Sequence, residues 1–97
     1  VTNQSVGAAS QYSTGFEASQ FPPDGLMGMA FQQISEFGTN PFFESLVAQG
    51  GATTPQFSFK LAANDSELFL GGANSNLFTG NFTTLEVTQV VRYYARC

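Results

Sequence analysis

Between Phe57 and Leu61 the chain alternates strictly, with Phe57, Phe59 and Leu61 apolar and Ser58 and Lys60 polar, the two-residue period of a half-buried strand. A second period precedes it. Phe42, Phe43, Leu46 and Val47 recur at helical spacing and predict one apolar helix face, read as core packing. Asn40 suits a helix cap, Pro41 the first helical position and Gly50 the left-handed turn that ends the helix.

Elsewhere the pattern is shorter. Val1 to Ala9 mixes β-favouring and polar residues and reads as a strand, followed by a loop from Ser10 to Phe16. Phe21-Pro22-Pro23-Asp24-Gly25 cannot be regular helix, because two prolines remove donors just before an Asp-Gly turn. Leu26 to Ala30 resumes as a short apolar strand. Ala63 to Glu67 is loop-like, Leu68-Phe69-Leu70 is a strand ending at Gly71-Gly72, and turns at Asn74-Ser75-Asn76 and Thr79-Gly80-Asn81 lead into β-type sequence from Phe82 to Val91. The expectation is a mainly β chain with one clear α-helix.

At 97 residues, 42% apolar and with 11 phenylalanines, the chain has the makings of a core and is expected to bury about two thirds of its unfolded surface. Disorder would call for less apolar content and more charge. The net charge of −4 opposes nucleic-acid binding, which needs clustered Lys and Arg, and Arg92 with Arg96 is too small a group to reverse it. No apolar run approaches a membrane span, and the opening residues do not read as a signal peptide, so the targeting segment of a secreted protein is expected to have been removed or to lie outside this sequence.

Histidine is absent and Cys97 is the sole cysteine, which excludes a Ser-His-Asp or Cys-His system, a His-rich or multi-Cys zinc site and any intrachain disulfide. Cys97 reads as a frayed terminal thiol, with pairing to another chain as the alternative. No metal or organic cofactor is expected. Asn-x-Ser/Thr triplets begin at Asn3, Asn64 and Asn81 and become glycan acceptors if the chain is secreted. A carbohydrate-binding reading finds no support, since tryptophan and a compact calcium-ligand run are both missing.

Several segments, taken in order, carry a resemblance. They are Val1 to Gly7, Asp24-Gly25-Leu26-Met27-Gly28, Asn40-Pro41-Phe42-Phe43 leading to Gln49-Gly50, Gln56 to Leu61, and Glu67 to Gly80. This ordered set, from about Val1 to Thr88, resembles the pepsin-like aspartic peptidases, especially the secreted enzymes of mushroom-type fungi. The resemblance implies part of a bilobal β fold, with residues 1–62 as the end of the N-terminal lobe and residues 63–97 as the start of the C-terminal lobe, or the two packed as one compact unit. It also implies that Phe16 and Leu26 help wall a pocket for a hydrophobic substrate side chain, where simple core filling is the alternative. Tyr93-Tyr94 echoes an aromatic pair of the early C-terminal lobe, but Ala95-Arg96-Cys97 does not continue the pattern.

Aspartic peptidase chemistry needs two carboxylates sharing one proton, one activating water while the other protonates the scissile carbonyl. In the family each sits in an Asp-Thr-Gly or Asp-Ser-Gly loop. Neither triplet occurs here. Asp24 precedes glycine without the intervening hydroxyl residue and reads as a turn aspartate; Ser13-Thr14-Gly15 lacks the carboxylate. The leading expectation is a noncatalytic segment or truncated form of a secreted aspartic endopeptidase acting on polypeptides at acid pH. The alternatives are a binding or regulatory protein on that scaffold, self-associating or joined to a complementary peptidase chain through uncovered edges and apolar surface, and a homodimeric peptidase using Asp24.

Overall fold

A computed structural model describes residues 1–88 and 90. Among these it contains one α-helix, α1 (Phe42–Ala48), and one antiparallel pair of strands, β1 (Phe57–Lys60) and β2 (Glu67–Leu70). Short 3-10 turns occupy Gln32–Ile34 and Ser75–Leu77. The strand register pairs Phe57 with Leu70, Ser58 with Phe69, Phe59 with Leu68 and Lys60 with Glu67. The hairpin thus joins the two sides of the boundary drawn after residue 62. Its turn is closed by Ser66, whose hydroxyl donates to the Ala62 carbonyl at 2.8 Å and accepts from the Ala62 amide at 3.1 Å.

The helix forms where its apolar period predicts, but its first turn is shifted by one residue. Pro41 has an extended ψ of 163°, so it flanks the helix, and no side chain caps the free amides. Asn40 therefore sits one position too early to cap. Its carbonyl instead accepts from the Gln4 Nε2 at 3.0 Å and the Ser45 hydroxyl at 3.4 Å. At the other end the expected left-handed glycine is present. Gly50 has φ +71°, its amide donates to the Val47 carbonyl at 3.0 Å, and the Gly51 amide reaches back to Leu46 at 2.9 Å. Those two bonds satisfy carbonyls that the last helical turn leaves open, the pairing of a Schellman ending.

Three expected strands do not form: Val1 to Ala9, Leu26 to Ala30, and the stretch from Phe82 through Thr88. Their β-type composition is real, but a strand exists only where a neighbour accepts its main-chain hydrogen bonds. The mainly β expectation is accordingly reduced to one hairpin, and most described residues are irregular. Val91, Arg92, Tyr93, Tyr94, Arg96 and Cys97 lie outside the described residues.

Side chains replace a partner strand at the beginning of the chain. Gln49, just past α1, accepts from the Thr2 amide at 2.8 Å and donates from Nε2 to the Thr2 carbonyl at 2.9 Å. Farther along, the Thr39 hydroxyl donates to the Ser5 hydroxyl at 2.8 Å. The 3-10 turn is fastened to the helix by the Gln32 amide donating to Glu44 at 3.0 Å.

The expected core is missing. No hydrophobic side chain among the described residues is buried, and Ser45 is the one buried polar residue. The helix face of Phe42, Phe43, Leu46 and Val47 is half-buried. Phe43 meets Phe57 edge-on at 4.8 Å, and Phe57 meets Phe59 at 5.8 Å, so a short aromatic row joins helix to hairpin. The chain exposes 8466 Å², against about 5,400 Å² for a folded monomer of its mass. Its radius of gyration of 15.5 Å likewise exceeds the roughly 12.5 Å of a compact domain of this length.

Candidate functional site

Asp24 lies in an exposed bend whose form follows from Pro22 and Pro23, which supply no amide donors. Before it, turns are closed by Phe16 donating to Ser13 at 3.0 Å and by Gln20 and Phe21 both donating to Glu17 at 2.8 Å. These turns bring the rings of Phe16 and Phe21 to 5.4 Å, tilted by 42°. Phe16 is still 45% exposed, and Leu26, beyond the bend, is 78% exposed. The segment thus presents Phe16, Asp24 and Leu26 to solvent.

Two shallow grooves lie elsewhere, along the hairpin. One, of about 240 Å³, is bordered by Phe59, Lys60, Glu67, Leu77, Phe78 and Phe82 among others; its neighbour, of about 230 Å³, runs past Gln56, Phe57, Gly72 and Phe82. Phe16, Asp24 and Leu26 border neither. Phe78 and Phe82 stack at 4.6 Å across the Thr79-Gly80-Asn81 turn, where Gly80 takes φ +87°, a value that suits glycine. Glu67 is held on the rim by the Asn74 Nδ2 donating to it at 3.1 Å, and Asn74 also accepts from the Asn76 amide.

These grooves were not anticipated from the sequence. The available signal was the pair of phenylalanines flanking a glycine turn, together with the β1 alternation. Their rings and the Lys60 and Glu67 rim can seat an apolar side chain between charges, a packing role rather than a bond-making one.

Asn3, Asn64 and Asn81 are all exposed. Asn3 has φ +54°, a left-handed conformation that asparagine tolerates better than most residues. Among the described residues no group of three or more acidic or cysteine side chains converges as a metal site, and no helix is long and apolar enough to cross a membrane.

Comparison with known proteins supplies what the sparse fold does not. A family model described as "Eukaryotic aspartyl protease" matches residues 1–96. The chain is 41% identical to an "Aspartic protease" of Phaffia rhodozyma over 88 residues, covering 91% of this chain and 21% of that relative. It is 32% identical to "Gastricsin" of Mus musculus over 94 residues, covering 92% and 24%. A "Probable vacuolar protease A" of Arthroderma benhamiae is 37% identical over 83 residues, covering 80% and 20%. The chain therefore spans about a fifth to a quarter of these relatives, which share the pepsin-like family rather than a fungal branch of it. Matched along nearly its whole length, the chain belongs to the eukaryotic aspartyl protease family.

Proposed function

We propose that this chain is a noncatalytic segment or truncated form of a secreted aspartic endopeptidase, whose parent cleaves peptide bonds in acid without metal or organic cofactor. The carrying observation is a family match across residues 1–96 in a sequence that holds neither Asp-Thr-Gly nor Asp-Ser-Gly. Without those loops no pair of carboxylates shares a proton, and the water-activating step has no base. Asp24, exposed and without the supporting hydroxyl residue, serves as a bend residue. In the parent, Phe16 and Leu26 line a hydrophobic substrate pocket, and their exposure here fits a wall whose opposite side other polypeptide supplies.

The lobe boundary in this reading falls in the hairpin loop after residue 62. The fungal secreted branch is favoured by the higher identity to the Phaffia rhodozyma protein, 41% against 32% for gastricsin. The exposed Asn3, Asn64 and Asn81 suit glycans in a secretory compartment. Assaying the purified chain on denatured protein at acid pH, with and without an aspartic-peptidase inhibitor, tests the proposal. Inhibitor-sensitive turnover that disappears in Asp24→Asn would overthrow it in favour of a homodimeric enzyme.

A second reading, a binding or regulatory protein on the same scaffold, is favoured by the unburied phenylalanines and the open hairpin. Light scattering separates the two: a stoichiometric dimer, or a complex with a chain carrying an Asp-Thr-Gly loop, supports binding, whereas a monomer supports the isolated segment.

A further inference from the structure

We infer that the Asp24–Gly25 bond is a site of spontaneous covalent modification, at which aspartate converts to isoaspartate through a cyclic imide. The residue types allow the ring, and the structure leaves both reacting atoms free. Asp24 and Gly25 are exposed, and a Cβ built on Gly25 would meet no atom within 4 Å. Neither the Gly25 amide nor the Asp24 carboxyl enters a hydrogen bond among the described residues. Pro22 and Pro23 supply no donors that could close a turn over the pair.

The step needs only water. The Gly25 backbone nitrogen attacks the Asp24 Cγ and loses its proton, the N–Cγ bond forms, and the carboxyl hydroxyl leaves as water. The product is a five-membered succinimide. Water then adds to one of the two imide carbonyls. Opening at Cγ restores aspartate, whereas opening at the main-chain carbonyl routes the backbone through Cβ and leaves the α-carboxylate as a side group. The product has the mass and charge of the starting chain, with one more carbon in the main chain.

Glycine at position 25 matters twice: it places no side chain against the attacking nitrogen, and its backbone reaches the angles that ring closure requires. The chain contains its own contrasts. Asp65, the other aspartate, precedes Ser66 and not glycine, so a side chain stands beside the attacking nitrogen there. Asn74, which precedes Ser75, is fastened by bonds to Glu67 and Asn76. Only at Asp24 do an acidic side chain, a following glycine and free reacting atoms coincide.

The test is incubation of the full 97-residue chain at pH 5 and 37 °C for several weeks, followed by digestion after glutamate. Peptide 18–36 carries Asp24 and peptide 45–67 carries Asp65. Isoaspartate is read by electron-transfer fragmentation and by labelling with an isoaspartyl carboxyl methyltransferase. The expected signal in peptide 18–36 exceeds that in 45–67 at least tenfold. It vanishes in Asp24→Ala, which has no carboxyl to close the ring and adds no cleavage site, and falls at least fivefold in Gly25→Val. Equal accumulation in the two peptides, no accumulation at Asp24, or an undiminished rate in Gly25→Val would overturn the inference. Because both variants sit in an exposed bend and the readout is local to one peptide, a change elsewhere in the chain cannot imitate the result.

Discussion

Heating the isolated chain should produce no cooperative unfolding transition. An unfolded chain of 10.4 kDa exposes about 15,100 Å² and a folded monomer of that mass about 5,400 Å². The observed 8466 Å² lies between them, so roughly 3,000 Å² that a domain would bury remains in water. Even if only a third of that area is apolar, at about 25 cal/mol per Å² the missing burial amounts to about 25 kcal/mol. Ordinary net stability is about 5–15 kcal/mol, so the shortfall is larger than the margin that makes folding all-or-none. Differential scanning calorimetry with near-ultraviolet circular dichroism and binding of an apolar dye is the assay. The expected result is a flat heat-capacity trace, weak aromatic dichroism and strong dye binding at 20 °C. A single sharp transition with an enthalpy near 70 kcal/mol, the value usual for about 100 residues, would refute the reasoning.

Other expectations concern single positions. Gly50→Ala should cost about 1 kcal/mol, because alanine is strained at φ +71°, and should reduce the helical population of Phe42–Ala48 about fivefold by NMR carbon shifts. Gly51→Ala should displace Leu46, whose Cδ1 stands 2.5 Å from the added Cβ, and a shifted Leu46 methyl resonance reports it. Gln49→Ala removes the side chain that holds Thr2 and should speed hydrogen exchange at the Thr2 amide about fivefold, for about 1 kcal/mol lost. Expression through a secretory pathway should add glycans at Asn3, Asn64 and Asn81, each lost in the matching Asn→Gln variant by intact mass; an unglycosylated secreted product would count against the assignment.

What the sequence made legible was the part that is local. The Phe42, Phe43, Leu46 and Val47 period marked α1, Gly50 marked its end, and the alternation at Phe57 and Phe59 marked where β1 runs but not its buried face, since Phe59 is 53% exposed while Ser58 and Lys60 are half-buried. Each signal depends on a few neighbouring residues and needs no distant partner. The strands expected at Val1 to Ala9 and Leu26 to Ala30 failed for the converse reason, since their hydrogen-bonding groups need a partner strand and Leu26 is left 78% exposed. The cap at Asn40 failed over one dihedral angle, because Pro41 kept an extended ψ. Family membership was legible because spaced motifs survive without a core around them. The grooves beside Phe78 and Phe82 were not, because they arise from how the chain returns after Gly80.

The hold of Gln49 on Thr2 grips main-chain atoms from both sides at 2.8 and 2.9 Å, and the Thr2 hydroxyl adds only a longer bond of 3.3 Å to the same Gln49 oxygen, so the contact depends little on the side chain at position 2. Substitution there by almost any residue should be tolerated, with proline the exception because it has no amide to offer. Position 49 has no such latitude: among the common side chains, a carboxamide of that length alone presents donor and acceptor together at the required reach. Variation among sequences sharing this contact should therefore be broad at one end of it and narrow at the other.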